Sequence, residues 1–262
     1  MSRIAAAFGR TGHKALIPYL TVGYPDIDTT LEMARIVASS GGDLLELGIP
    51  FSDPLADGTT IQRASYQSLR RGTTPELCLE AAGKLRKDID IPLVFMTYYN
   101  PVHKYGLESF CRDCAQAGID GLIVPDLPPE EGGELEGACA GHGLDLVYLL
   151  APTSTDERID LVAARSRGFI YLVSLTGVTG ARASLPVELE GFVRRVRARA
   201  SQPLSVGFGI STPQEARRVA EVADGVIVGS RIVQLLGEPD PRTLVSQFVA
   251  SLREALSDRT GG

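Results

Sequence analysis

Several classes of function are excluded by what the sequence lacks. Basic residues are not in excess: 26 lysines and arginines stand against 32 aspartates and glutamates, which gives a net charge of −6. A nucleic-acid-binding surface is therefore not expected. No apolar run reaches the ~18 residues that a membrane span needs, and residues 1–14 contain no apolar stretch typical of a signal peptide. These absences predict a cytoplasmic protein that binds neither nucleic acid nor membranes.

Histidine is also scarce, and none of the three residues lies at the end of a predicted strand: His13, His103 and His142. An imidazole general base is therefore not expected. The sequence contains no HExxH, P-loop or GxSxG motif, so metal-dependent hydrolysis, nucleotide binding by a P-loop and serine hydrolysis have no support.

The four cysteines are Cys78, Cys111, Cys114 and Cys139. Cys111 and Cys114 form a CxxC pattern within a predicted helix, without the second CxxC or the histidine pair that a metal or redox site would need. We expect buried free thiols, since free cysteine commonly behaves as a small apolar residue. No metal site is predicted.

Short apolar segments alternate with longer helical patterns along the whole chain. Eight strands are predicted, at residues 15–22, 43–49, 92–98, 121–124, 145–151, 169–175, 204–208 and 225–228. Helices are predicted at residues 26–40, 74–87, 104–117, 129–142, 155–166 and 186–200, and from residue 212 onward.

This alternation gives either a doubly wound sheet or a closed barrel. Eight strands in 262 residues favour a single (βα)8 TIM barrel of class α/β, which we expect to form one domain over residues 1–262. An extra N-terminal helix at residues 3–8 would close the floor of the barrel. A short frayed tail is expected from about residue 258.

Two carboxylates are the first candidates for catalysis. Glu46 lies inside an apolar strand, where an acid is unfavourable unless it faces a polar cavity, and strand alternation places it opposite Leu45 and Leu47. Asp57 follows in a loop rich in proline and glycine. The alternative for Glu46 is a buried acid paired with a neighbour, and the alternative for Asp57 is a turn former. Asp53 and Asp126 are rival acids.

Three other loops at the predicted carboxyl ends of the strands point to a ligand. Gly209, Gly229 and Ser230 follow the last two strands and open helices, at a place where barrel enzymes frequently bind phosphate. These small residues alternatively serve only tight turns. The loop at residues 176–184 is about ten residues long, longer than a usual connection. It is interpreted as a lid that excludes water, with a plain surface loop as the alternative.

Four segments resemble the tryptophan synthase α subunit family: LELGIPFSDPLADG at residues 45–58 followed by TIQ at 60–62, PYLTVGYPD at 18–26, TGVTG at 176–180 and GFGIS at 207–211. The resemblance covers nearly the whole chain in order. It implies a retro-aldol cleavage of indole-3-glycerol phosphate to indole and glyceraldehyde 3-phosphate. Glu46 would transfer the protons, and Asp57 would bond the indole N–H and stabilise the positive charge that develops on the ring.

The same resemblance implies further roles. Substrate contacts would come from Tyr19, Met96, Tyr98, Tyr171, Thr179 and Phe208, and phosphate contacts from Gly180, Gly209, Gly229 and Ser230. A β subunit, in an α2β2 heterotetramer, would receive the indole and face Pro50, Phe51, Ser52, Asp53, Asn100 and Pro128. No cofactor is expected in this chain; pyridoxal phosphate would belong to the β subunit.

The chain departs from the family pattern at Tyr19, where phenylalanine is common, and at Tyr99 and Pro125, which are bulkier than expected. Two alternatives also remain at this point. A free-standing indole-3-glycerol-phosphate lyase would share every catalytic residue. A non-catalytic allosteric barrel subunit would be expected to have lost a carboxylate or a lid residue, whereas Glu46, Asp57 and Thr179 are all present.

Overall fold

The structure, a computed structural model, describes residues 2–9, 13–173, 187–207 and 209–257. The tail predicted from about residue 258 and the lid predicted at 176–184 lie outside these ranges. The described strands form one parallel sheet that curves into a nearly closed barrel, so the predicted TIM barrel is confirmed. The extent of a single domain over residues 1–262 stays a prediction.

The described part of the sheet contains nine strands, in the spatial order β5-β4-β3-β2-β1-β9-β8-β7-β6. They are β1 (Ala15–Thr21), β2 (Leu45–Gly48), β3 (Leu93–Met96), β4 (Gly121–Ile123), β5 (Asp145–Val147), β6 (Leu149–Leu150), β7 (Ile170–Val173), β8 (Leu204–Gly207) and β9 (Gly225–Val228).

The ninth strand arises because the fifth predicted strand is divided at Tyr148. The N–H of Tyr148 donates to the hydroxyl of Ser166 (3.1 Å), and its carbonyl accepts from the N–H of Tyr171 (3.0 Å). The segment before Tyr148 pairs with β4 and the segment after it pairs with β7. One stretch of chain therefore joins both ends of the sheet and closes the barrel.

The helices described are α1 (Arg3–Ala7), α2 (Ile27–Ser39), α3 (Thr59–Arg70), α4 (Pro75–Leu85), α5 (Tyr99–Tyr105), α6 (Leu107–Gln116), α7 (Gly133–Gly141), α8 (Asp156–Arg165), α9 (Val187–Arg197), α10 (Pro213–Val222), α11 (Ser230–Leu235) and α12 (Pro241–Ser257). The sequence did not predict α3 or α12, and of α11 it predicted only the start, at residues 229–230. The helix predicted at 104–117 is two helices, because Gly106 has φ +96°, which an α-helix cannot accommodate. The helix predicted at 129–142 starts as a 3-10 turn at Pro129–Glu131.

Side chains alternate between the two faces of each strand, as expected for a barrel. In β2, Leu45 and Leu47 belong to the apolar layer between the sheet and the helices, whereas Leu44, just before β2, belongs to the layer inside the barrel. Glu46 therefore points into the barrel, as the alternation predicts. Below it, the interior is filled by buried side chains such as Ile17 and Val94.

The predicted N-terminal helix closes the end of the barrel opposite the carboxyl ends of the strands. Ile4 of α1 is fully buried in the inner layer. The ring of Phe8, which follows α1, lies 5.6 Å from the ring of Phe169, measured between centroids. The floor of the barrel is thus sealed with apolar side chains, so the interior of the barrel opens at the other end.

Candidate active site

Glu46 is held by the two strands on either side of it. β2 pairs with β1 and β3, and Glu46 is in register with Tyr19 on one side and Val94 on the other. The side chain is 1% exposed, and among the described residues its Oε2 has no hydrogen-bond partner. A buried carboxyl oxygen without a partner is unfavourable in an unliganded protein. It is available to a ligand in the cavity.

The surroundings of Glu46 favour its protonated form. Burial raises the pKa of Glu46 to about 8, and the negative charge of Asp57 contributes in the same direction. Loss of water disfavours the ionised form of an acid, and a nearby like charge has the same effect. At neutral pH this carboxyl group is therefore a proton donor.

Asp57 lies in the loop between β2 and α3, which is fixed by hydrogen bonds at several points. Its backbone N–H donates to the carbonyl of Pro54 (3.1 Å), and its carbonyl accepts from Nε2 of Gln62 (2.9 Å). Upstream, the N–H of Phe51 donates to the hydroxyl of Ser65 (2.9 Å), which donates back to the carbonyl of Phe51 (3.1 Å). These contacts place Asp57 at the barrel mouth.

Burial raises the pKa of Asp57 to about 6, and a hydrogen bond from Tyr98 partly opposes this rise. Asp57 is therefore largely ionised just above neutral pH, where Glu46 is still largely protonated. Two carboxyl groups whose surroundings separate their pKa values in this way suit one acid role and one fixed negative charge. The rival acids lie elsewhere: Asp53 and Asp126 are exposed, and Asp126 accepts from the N–H of Tyr99 (2.9 Å).

Both carboxylates face one cavity of about 190 Å³ at the carboxyl ends of the strands. It is lined by Tyr19, Glu46, Asp57, Ile61, Met96, Tyr171, Gly209, Ile210, Ser211, Ile227, Gly229, Ser230, Arg231 and Gln234. This set contains three of the predicted substrate contacts (Tyr19, Met96 and Tyr171) and three of the predicted phosphate contacts (Gly209, Gly229 and Ser230).

The remaining predicted residues divide into two groups. Thr179, Gly180 and Phe208 lie outside the described residues, so their roles stay predictions. Tyr98 is buried but does not line the cavity. Of the three departures from the family pattern, only Tyr19 lines the cavity; Tyr99 and Pro125 do not.

The sequence did not point to several of the lining residues. Ile61 belongs to α3, which was not predicted, and Gln234 to α11, of which only the start was predicted. Ile227 occupies an inward position of β9 that alternation alone would have identified. Arg231 is a cation in the first turn of α11, where a positive charge is unfavourable. An arginine at this unfavourable position is the feature of the sequence that could have identified Arg231 as a functional residue.

One end of the cavity is suited to an anion. It is formed by Gly209, Gly229, Ser230 and Arg231, and Arg231 makes no hydrogen bond or ion pair with another described residue. The N–H groups of Ser211 and Thr212 are already occupied, because both donate to Oε2 of Glu215 (2.8 and 3.0 Å). Among the described residues, the guanidinium of Arg231 is thus the main source of positive charge at this end.

The residues predicted to face a partner lie beside the mouth of the barrel. Ser52, Asp53 and Asn100 are exposed, Phe51 and Pro128 are half-buried, and Pro50 is buried. Next to them, Leu55 is 93% exposed, a high value for a large apolar side chain.

The described part of the chain gives little support for other classes of site. All four cysteines are buried free thiols, as predicted. Within the described ranges, no cluster of three or more His, Cys, Asp or Glu side chains is arranged to hold a metal ion. No helix in those ranges has both the length and the apolar character needed to cross a membrane.

Comparison with known proteins adds independent information. Residues 6–258 match the family described as "Tryptophan synthase alpha chain". The tryptophan synthase alpha chain of Dehalococcoides mccartyi is 58% identical, over 98% of this chain and 100% of its own length. The crystal structure of the tryptophan synthase alpha chain from Legionella pneumophila is 35% identical with a TM-score of 0.91, over 100% of both chains. A structure of tryptophan synthase from Mycobacterium tuberculosis is 39% identical with a TM-score of 0.91, over 98% of this chain and 99% of that one.

Proposed function

The chain belongs to the tryptophan synthase alpha chain family, and we propose that it is a carbon-carbon lyase of tryptophan biosynthesis. It cleaves indole-3-glycerol phosphate into indole and glyceraldehyde 3-phosphate. One observation carries the assignment to this cavity: Glu46 is buried, one of its oxygens has no hydrogen-bond partner among the described residues, and it shares the cavity with Asp57.

We propose that Glu46 moves the proton that the reaction requires. The bond between indole C3 and the glycerol carbon breaks only if C3 receives a proton, because an unprotonated indole carbon leaves poorly. Glu46 donates that proton and takes one from the glycerol hydroxyl, whose carbon becomes the aldehyde. One proton passes from oxygen to carbon, and Glu46 ends in the protonation state in which it began.

Asp57 supplies a fixed negative charge in the same proposal. Protonation at C3 places positive charge on the indole ring, and an ionised carboxylate bonded to the indole N–H stabilises that charge. The pKa of about 6 keeps Asp57 largely ionised just above neutral pH. The two acids therefore act in opposite protonation states.

The lining of the cavity fits both ends of this substrate. Apolar and aromatic side chains form the part that would receive the indole ring: Tyr19, Ile61, Met96, Tyr171 and Ile227. We place the phosphate against Gly209, Gly229, Ser230 and Arg231. Thr179, Phe208 and Gly180 remain proposed contacts on the basis of the family resemblance, and Tyr98 is proposed to act on Asp57 rather than as part of the cavity wall.

We further propose a β subunit as the partner, in an α2β2 heterotetramer that receives the indole directly. The surface for it comprises Pro50, Phe51, Ser52, Asp53, Asn100 and Pro128, with Leu55 beside them. The chemistry assigned to this chain needs only its own side chains, and pyridoxal phosphate is expected in the β subunit. A cytoplasmic location remains a prediction.

The test is cleavage of indole-3-glycerol phosphate by the purified chain, with and without a β subunit. We expect slow indole release by the chain alone and a marked gain when the partner is added. Full activity that a β subunit leaves unchanged would instead favour a free-standing lyase, and a complete lack of cleavage under both conditions would favour a non-catalytic subunit. Glu46→Gln should lower turnover by roughly 10²–10⁴-fold.

A further inference from the structure

Tyr98 makes two polar contacts with the loop that carries Asp57. Its hydroxyl oxygen accepts from the N–H of Ala56 (3.0 Å). The same hydroxyl is hydrogen-bonded to the carboxylate of Asp57. Tyr98 lies two residues beyond the end of β3 and is 4% exposed, so its ring has little freedom to move.

The two contacts fix the direction of the hydroxyl proton. A tyrosine hydroxyl has one proton to donate and lone pairs to accept with. The N–H of Ala56 occupies a lone pair, so the proton is left for the carboxylate of Asp57. A single side chain therefore sets both the backbone at residue 56 and the orientation of the acid at residue 57.

The other end of the same loop also rests on Tyr98. The ring of Phe51 stacks on the ring of Tyr98, with centroids 5.1 Å apart and planes at 27°. Phe51 is fixed in turn through its backbone by Ser65, on α3. The beginning and the end of the loop thus converge on one tyrosine that does not line the cavity.

We propose that Tyr98 is a positioning residue, which aims the carboxylate of Asp57 at the indole N–H and keeps it in place through the reaction. The proposal rests on the proposed function, because it assumes that Asp57 acts on the substrate. A hydrogen bond donated to a carboxylate stabilises its charged form. Loss of the hydroxyl should therefore loosen Asp57 and raise its pKa.

Tyr98→Phe is the direct test, since it removes the hydroxyl and keeps the ring that Phe51 packs on. We expect kcat/KM to fall by roughly tenfold to a hundredfold, the range for a hydrogen bond to a charged group. The acidic limb of the pH profile should move to higher pH by roughly one unit. The matched control is Tyr105→Phe, which removes a hydroxyl bonded to Asp113 (2.8 Å) away from the cavity and should leave rate and profile unchanged.

A purely structural role for Tyr98 would give a different pattern. Phe51→Leu disturbs the stacked ring and leaves the hydroxyl in place, so the acidic limb should stay where it is in the wild type. An equal shift in Phe51→Leu and Tyr98→Phe would overturn the proposal, because packing of the loop would then be the cause. A rate and a profile for Tyr98→Phe within twofold of the wild type would also overturn it.

A second variant covers the case in which Tyr98→Phe does not fold. Installation of 3-fluorotyrosine at position 98 keeps the hydroxyl and makes it a stronger donor, so the acidic limb should move to lower pH; an unchanged limb would refute the positioning role. Failure of the proposed function is distinguishable from either result. In that case the wild-type chain itself would not cleave the substrate, with or without a β subunit.

Discussion

The hydroxyl oxygen of Tyr19 lies against the α-carbon of Gly48, so closely that a Cβ at Gly48 would come within 2.0 Å of it. Tyr171 has the same relation to Gly207, where a Cβ would lie 2.3 Å from its hydroxyl oxygen. Both glycines end strands, and both leave room for a tyrosine that lines the cavity. The shape of the cavity therefore depends on the fact that positions 48 and 207 are glycines, which have no Cβ.

Gly48→Ala should push the ring of Tyr19 out of position and reduce cleavage. Overpacking of a buried site usually lowers stability by about 1–3 kcal/mol, and a ring displaced into the cavity should raise KM for the substrate. Steady-state kinetics and thermal unfolding would measure the two effects.

The control for that variant is Gly83→Ala, on α4. A Cβ at Gly83 would meet no atom within 4 Å, and alanine in a helix is favoured over glycine by roughly 0.5–1 kcal/mol. We expect unchanged kinetics and a small gain in stability. If Gly48→Ala gave the same result, the contact with Tyr19 would have no influence on the cavity.

The pH dependence of kcat/KM should be bell-shaped. Activity needs Asp57 ionised, so it should fall as the pH drops below about 6, and it needs Glu46 protonated, so it should fall as the pH rises above about 8. The apparent pKa values read from the two limbs belong to the pair of acids and not to each residue separately, because the two charges interact. Rates measured from pH 5 to pH 9 would check this; a profile that keeps rising above pH 8 would contradict a protonated Glu46.

Glu46→Gln should make the protein more stable at alkaline pH. The pKa of Glu46 is about 8 in the folded chain, against 4.5 for an unperturbed carboxyl. The folded wild type therefore binds this proton more tightly than the unfolded chain, and its stability decreases as the pH rises from about 4.5 to about 8. Glutamine carries no such proton, so its advantage should grow across that window.

Denaturant unfolding of both proteins at pH 5, 7 and 9 would reveal the difference. The difference in the free energy of unfolding between Glu46→Gln and the wild type should amount to a few kcal/mol at pH 9 and be smallest at pH 5. A gap that stays constant over this range would mean that the carboxyl group does not titrate differently in the folded chain.

Arg231→Gln should weaken phosphate binding more than it slows the chemistry. KM for indole-3-glycerol phosphate should rise about tenfold, with little change in kcat, and the effect should shrink as salt screens the charge. Competition by inorganic phosphate should weaken in parallel. Arg70→Gln is the matched control, because Arg70 lies on the exposed surface of α3, where its guanidinium is 6.0 Å from the ring centroid of Tyr66. Equal effects of the two variants would show that Arg231 does not bind the phosphate.

The sequence predicted those features that depend on local patterns. Eight apolar segments predicted the barrel. The acid in an apolar strand predicted that Glu46 points into the barrel, because alternation within a strand is a short-range property. The helix α3 was missed, since it begins at once after a loop that had been interpreted on its own, and α11 was predicted only at its start. Ile61, Gln234 and Arg231 were missed with them.

Contacts between distant segments were not predictable from one sequence. Nothing in the neighbourhood of Tyr98 shows that its hydroxyl meets Ala56 and Asp57, which come from another loop. The resemblance to a family suggested that Tyr98 contacts substrate, whereas the structure brings its hydroxyl to the acid. Such pairings are decided by how the strands are placed next to each other.

Glu46 and Asp57 differ in what holds them. Glu46 is part of a central strand paired on both sides, whereas Asp57 lies in a loop fixed by a small number of side-chain contacts. The proton donor is thus tied to the framework of the barrel, and the fixed charge belongs to a segment that can be exchanged. Replacing residues 50–56 as one block, with Asp57 kept, would change how the ring is held while both acids remain, so new aromatic substrates should be sought through that loop and not through the strand.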